Sequence, residues 1–208
     1  MTGLFITMEG IDGCGKSTQM KLLAEAFLAR GVEPLVTREP GGTPLGEAVR
    51  KLLTSELSLN IAPPAELFLI AGARAQHVAE VIRPALEQGR IVISDRYTDS
   101  TVAFQGHGRG LDLELISRVN DLATGGLRPH LTLVIDLEPQ LARQRLNARP
   151  VGGLLGALDD EELEFHERVR QAYFGLAAAD PDRVRIIDAS GGVEDTHRLV
   201  MSVVEKKF

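Results

Sequence analysis

The 208-residue chain has a single cysteine, Cys14, so no disulfide can close within it, and nothing in the sequence points to an oxidising compartment. It has no apolar run near the roughly 20 residues needed to cross a bilayer. Leu131 to Leu137 is far too short for that, and Leu4 to Met8 is too short for the core of a secretory leader. A surplus of positive charge is missing as well. With 23 Lys and Arg against 29 Asp and Glu, the formal charge of -6 disfavours a general nucleic-acid binder, whose affinity rests on neutralising phosphates. No internal repeat and no low-complexity linker divides the chain. What it does have is 44% hydrophobic residues, enough to bury a core without staples. The expectation is one domain over residues 1–208, in a reducing cytoplasm, with no nucleic-acid or membrane partner.

Short apolar runs alternate with longer segments of helical period, which predicts an α/β fold. Five strands are expected, at Leu4 to Glu9, Pro34 to Arg38, Arg90 to Ser94, Leu131 to Asp136 and Arg183 to Ile187. Between them the period predicts helices from about Lys16 to Arg30, Leu45 to Thr54, and Ala65 to Gln88 with a kink or break at Pro84; another runs from about Val193 to Lys207. Strands separated by helices imply a five-stranded parallel sheet covered on both faces. Residues 150–164 differ: three glycines interrupt a mildly apolar stretch that turns acidic at Asp159 to Glu162. They read equally as a short mobile lid or as an ordinary surface loop.

Gly10-Ile11-Asp12-Gly13-Cys14-Gly15-Lys16-Ser17 matches G-x-x-x-x-G-K-[ST] in full, between an expected strand and an expected helix. In such a P-loop the glycines let successive amide N–H groups turn toward phosphate oxygens, and the helix start adds its positive dipole end. The whole loop, with Thr18 behind it, is therefore a candidate ATP cradle. Lys16 is placed to reach the β- and γ-phosphates and Ser17 to ligand Mg2+. Cys14 reads as a small loop residue rather than a nucleophile.

A P-loop alone does not choose between a switch, a motor and a kinase. Asp95 and Arg96 follow the third strand, which puts a carboxylate and a guanidinium at the carboxyl edge of the sheet, where doubly wound folds bind ligands. Asp95 is a candidate for holding magnesium-bound water or steadying an acceptor, and Arg96 for offsetting transition-state charge; a simple strand-end ion pair is the plainer alternative. Arg38 lies at the same edge, and with Arg74 it would give an acidic protein a local basic pocket for an anionic acceptor.

The blocks Glu9 to Gln19, Thr37-Arg38-Glu39-Pro40-Gly41-Gly42-Thr43, and Asp95-Arg96-Tyr97 with Ser100 and Ala103-Phe104-Gln105-Gly106 resemble the bacterial thymidylate kinases in order and spacing over nearly the whole chain. The resemblance implies a P-loop NTPase fold and transfer of the γ-phosphoryl group from MgATP to dTMP, giving dTDP and ADP on the route to dTTP. It implies that Arg38 holds the acceptor phosphate, Asp12 meets the 3′-hydroxyl, and Arg74 and Gln105 bond the thymine edge. Phe104 would crowd the place of a 2′-hydroxyl and Tyr97 would lie along sugar and base, although Tyr97 reads equally as a core aromatic with a polar tip. Arg145 would lie over adenine. The family also implies a homodimer, for which the apolar helix Glu66 to Val81 is one candidate face.

Two departures stand out against that resemblance. Ile70 occupies the place where the family has a phenylalanine stacking on thymine, with Phe68 two residues earlier. The lid lacks the family's Asp-Arg near its end and reads Gly156-Ala157-Leu158-Asp159 instead, while Gly13 lacks the arginine of eukaryotic-type relatives. Arg149 is the nearest candidate for the missing catalytic cation, with Arg143 and Arg168 as alternatives. Two rivals remain open at this point: a kinase for another deoxynucleotide, and a nucleotide-gated regulatory ATPase. The second would need a switch segment with a water-orienting residue, and the sequence offers none.

Overall fold

The structure is a computed structural model that describes residues 3–54, 60–148 and 163–207. Strands β1 (Leu4–Glu9), β2 (Leu35–Arg38), β3 (Ile91–Asp95), β4 (Leu131–Asp136) and β5 (Val184–Asp188) form one sheet in the order β2-β3-β1-β4-β5. Every pairing is parallel, with Phe5 opposite Val92 and Ile6 opposite both Ile93 and Leu131. A parallel sheet must be reached by crossovers, and these supply the helical cover.

Alternation along the strands sends successive side chains to opposite faces. Phe5 and Val92 pack on one side with Val78, Ile82 and Ala85, while Ile6 and Ile93 pack on the other with Leu23, Val169 and Val200. The first group comes from a π-helical segment (Val78–Ile82) and helix α4 (Arg83–Glu87). The second comes from α1 (Lys16–Leu28), α8 (Leu163–Ala179) and α9 (Val193–Lys207). Both faces of the sheet are covered, as the alternation of apolar runs and helical periods predicts.

The expected helix Ala65 to Gln88 is divided. Helix α3 (Pro63–His77) passes into the π-helical turn, and α4 begins one residue before Pro84. Proline brings no N–H and crowds the preceding turn, so the hydrogen-bond register widens there instead of running straight through. Between β3 and β4 lie α5 (Thr98–Thr101), a second π-helical segment (Val102–Gly108) and α6 (Leu113–Thr124), the last capped by Asp112, whose side chain accepts from the Leu115 amide at 2.7 Å. Helix α2 (Pro44–Thr54) follows β2, and α7 (Pro139–Asn147) follows β4. Residues 150–162 of the expected lid lie outside the described residues. Leu163 and Glu164 do not belong to a loop, because they open α8. Among the described residues no helix is long and apolar enough to cross a membrane.

Candidate active site

The loop after β1 has to be glycine at Gly10 and Gly13 for steric reasons that the fold makes explicit. Both have left-handed backbones, and a Cβ on them would sit 2.5 Å from the Ile135 carbonyl oxygen and 2.3 Å from that of Ala142. Gly15 begins α1 at φ 108° with no side-chain cap, so the first amide N–H groups of the helix are left facing outward, ready for an anion. Lys16 is buried there. Its Nζ donates to the carbonyls of Gly10 (3.1 Å) and Ile11 (3.0 Å) and lies 3.7 Å from Asp12. Cys14 is buried, and burial pushes its thiol up, which suits a packing residue and not a nucleophile.

Arg96 spans the space between this loop and the end of β3. Its Nη2 donates to Asp12 at 2.7 Å and its Nη1 to the Gly10 carbonyl (3.2 Å) and Ser100 Oγ (3.1 Å), with the guanidinium 4.5 Å over the Phe104 ring. Burial alone would raise the Asp12 pKa, but the charges of Arg96 and Lys16 outweigh it and hold the carboxyl well below the usual range. Arg96 is also the only described non-glycine residue with positive φ, at 69°. Such a backbone costs of order 1–3 kcal/mol and persists only where neighbours fix it. The fixing group is Glu9 at the end of β1: Oε1 accepts the Tyr97 amide at 2.8 Å, and Oε2 accepts Ser100 Oγ (2.5 Å) and the Tyr173 hydroxyl (2.9 Å). Burial, together with the charge of Asp99, pushes Glu9 up to about 7.

Asp95 ends β3 in register with Met8 and Arg38. It shares one cavity with Ser17, Arg38 and Gly42, and its Oδ1 is buried with no hydrogen-bond partner among the described residues. Ser17 and Asp95, which line one cavity, carry the hydroxyl and carboxylate oxygens that suit Mg2+.

There is a second cavity. It is lined by Asp12, Ile70, Arg74, Arg96, Ser100, Phe104 and Gln105, together with Glu39, Arg50 and Leu53. Arg74 forms its floor. Nε donates to Glu39 (2.7 Å), Nη1 to Thr101 (2.8 Å) and Asn120 (2.7 Å), and Nη2 to the Tyr97 carbonyl (2.9 Å). Four of its five N–H groups are thereby used, leaving one on Nη2. Glu39 is itself anchored by His77 Nδ1 at 3.0 Å, and His77 Nε2 by Thr37 at 2.7 Å. Gln105 donates from Nε2 to Glu66 at 2.7 Å.

Seven expected acceptor-site residues therefore meet in one cavity: Asp12, Ile70, Arg74, Arg96, Ser100, Phe104 and Gln105. Two do not. Tyr97 is fully buried, packs edge-on against Phe5 at 4.9 Å and donates its hydroxyl to the Leu127 carbonyl at 3.2 Å. Its ring belongs to the core, and the plainer of its two readings is the one the geometry favours. Arg38 is half-exposed and lines the Ser17 and Asp95 cavity, where Nη2 donates to both oxygens of Glu47 at 3.1 and 2.9 Å. Arg145 lies in a third cavity with Gly13, Cys14, Gly15, Thr18, Gly191 and Gly192, its Nη2 on the Ala189 carbonyl at 3.0 Å. Arg149 lies outside the described residues. Sequence reasoning overlooked Glu39, Asn120 and Arg50 as site residues. Glu39 sits inside a block already singled out, but nothing local in the sequence ties it to Arg74, 35 residues away.

The family model for thymidylate kinase matches residues 8–200. The chain belongs to the thymidylate kinase family. A thymidylate kinase from a Geobacter species is 49% identical over 210 residues, covering 99% of this chain and 93% of that protein. One from a Synechococcus species is 50% identical over 205 residues, covering 99% and 96%. The crystal structure of thymidylate kinase from Ehrlichia chaffeensis superimposes with a TM-score of 0.80 at 35% identity, covering 98% of this chain and all of that one. The sheet is thus that of the P-loop NTPases, and ATP is the phosphoryl donor that membership in the family implies.

Proposed function

We propose that the chain transfers the γ-phosphoryl group of ATP to dTMP, giving dTDP and ADP, within one domain. The observation that carries this reading is the reach of Arg96, which lines the cavity of Arg74 and Gln105 and at the same time donates to Gly10 and Asp12 of the phosphate loop. The loop and the start of α1 supply a phosphate cradle, and a buried arginine with a glutamine lines the space that would take the acceptor nucleoside.

The acceptor phosphate is already a competent nucleophile, so the residues need only position and neutralise. Lys16 and the loop amides would hold the donor phosphates, with Arg145 against the adenine. Arg96 would bridge donor and acceptor, its charge beyond the reach of any physiological pH. Asp12 would accept from the 3′-hydroxyl. Arg38, whose Nε and Nη1 have no hydrogen bond among the described residues, would meet the acceptor phosphate. Ser17 and Asp95 would hold Mg2+, which when bound offsets charge on the phosphate oxygens. Arg149 would add the cation that Gly13 cannot carry. A homodimer in the cytoplasm goes with this reading, and Phe68 (62% exposed, on α3) and Leu122 (87%, on α6) are the apolar groups it would cover.

The test is an acceptor panel of dTMP, dUMP, dCMP, dGMP, AMP and UMP with MgATP, the products being separated and identified. Preference for dTMP with formation of dTDP is the expected result. Transfer to a different monophosphate would move the substrate, and ATP hydrolysis with no acceptor product would overturn the kinase reading.

A further inference from the structure

Glutamine is an ambiguous base reader, because its amide can present either an acceptor or two donors to a ligand, and a half-turn exchanges them. In this cavity the ambiguity is removed from outside. Glu66, on the first turn of α3 and 5% exposed, takes the Gln105 Nε2 at 2.7 Å. Arg109 donates to Glu66 Oε2 at 3.3 Å, so the two side chains form an ion pair. A carboxylate can only accept, so the amide nitrogen must face Glu66, and Oε1 turns away from it. Among the described residues Oε1 has no hydrogen-bond partner, while Gln105 lines the cavity beside Arg74.

Arg74 is fixed in the same sense: its four bonds leave a single N–H pointing elsewhere. Both residues line the cavity, so the remaining donor of Arg74 and the remaining acceptor of Gln105 are what the pair can offer a ligand there. A base edge with a carbonyl next to a ring N–H, as in thymine or uracil, satisfies both. Cytosine, with an amino group next to a bare ring nitrogen, opposes both.

We propose that Glu66 is a positioning residue for base choice, holding the Gln105 amide in the orientation that accepts from the ring N–H of the base and so excludes cytosine. This rests on the reading of the cavity as the acceptor nucleoside site. Glu66 itself need not touch the substrate. If its side chain could also donate, Gln105 would be free to turn, and one of the two mismatches against cytosine would vanish.

The test compares kcat/KM for dTMP, dUMP and dCMP in the wild-type chain and in Glu66→Gln, an isosteric change that lets position 66 either donate or accept. The expected result is that the dTMP-to-dCMP ratio falls roughly tenfold or more, the size of one unpaired buried polar group, while the dTMP-to-dUMP ratio stays put because both bases show the same edge. A merely structural role for Glu66 would lower all three values together and leave both ratios unchanged, which would overturn the proposal. Should the single variant fail to fold, because Arg109 keeps a charge that the carboxylate balanced, the double variant Glu66→Gln/Arg109→Gln replaces the ion pair by two amides and is read by the same ratio. A wild-type chain that does not use dTMP at all would instead overturn the acceptor-site reading, so the two failures are distinguishable.

Discussion

The Arg96 guanidinium donates to the Asp12 carboxylate at 2.7 Å, joining the end of β3 to the middle of the phosphate loop. It simultaneously reaches the Gly10 carbonyl and Ser100, a spread of three acceptors that only a planar fork can serve. Replacing Arg96 by lysine keeps the charge but supplies one point donor. Steady-state kinetics should show kcat falling about a hundredfold or more, a loss typical of removing a group that stabilises transition-state charge. Near-normal turnover in this variant would show that the fork geometry is not what matters.

Lys16 rests on two loop carbonyls, a position from which its ammonium can swing to phosphate oxygens without leaving the cradle. Lys16→Ala should reduce phosphoryl transfer by roughly 10²- to 10³-fold, and more in kcat than in the KM for dTMP, since the acceptor cavity does not include this side chain. Retention of most of the activity would contradict the in-line transfer mechanism.

The cradle was legible in the sequence because its chemistry is local: three closely spaced glycines, one lysine and one hydroxyl between a strand and a helix leave few alternatives. The five strands were legible for a related reason, since buried parallel strands read as short apolar runs. What local pattern could not supply was partnership between distant residues. Tyr97 is a core residue and not a base contact because Phe5 and the Leu127 carbonyl, both far away in sequence, claim its ring and hydroxyl. The anchoring of Arg74 by Glu39 and Asn120, separated from it by 35 and 46 residues, was equally out of reach. The helices between β3 and β4 were also hidden. There the π-helical segment Val102–Gly108 breaks the 3.6-residue period on which helix recognition depends, and it carries Phe104 and Gln105 into the cavity.

Ile70 lines the acceptor cavity with Leu53 and Phe104, an aliphatic wall in the place where an aromatic ring would stack on a base. Ile70→Phe should lower the KM for dTMP several-fold with kcat little changed, because ring stacking adds about 0.5–1.5 kcal/mol beyond area burial. Titration of dTMP into the variant by calorimetry checks this directly. An unchanged or weakened affinity would mean that the wall does not contact the base.

Glu9 carries a pH signature. Its carboxyl is raised to about 7 in the folded chain, by burial first and the charge of Asp99 second, against 4.5 for an ordinary glutamate. A raised carboxyl binds its proton more tightly when folded, so its contribution to stability is highest below pH 4.5 and is lost as pH rises toward 7, by about 3 kcal/mol in total. Glu9→Gln removes this slope. Urea unfolding of both proteins at pH 5 and pH 8 should show the variant gaining on the wild type by a few kcal/mol at the higher pH. A difference that does not change with pH would contradict the assignment.

Direct transfer from ATP to dTMP is tested most directly with labelled ATP. With ATP carrying 32P at the γ position and dTMP as acceptor, label should appear in the β-phosphate of dTDP, one equivalent for each ADP formed, and should appear there roughly 10²- to 10³-fold more slowly in Lys16→Ala. Label released as inorganic phosphate, with dTMP recovered unchanged, would contradict it.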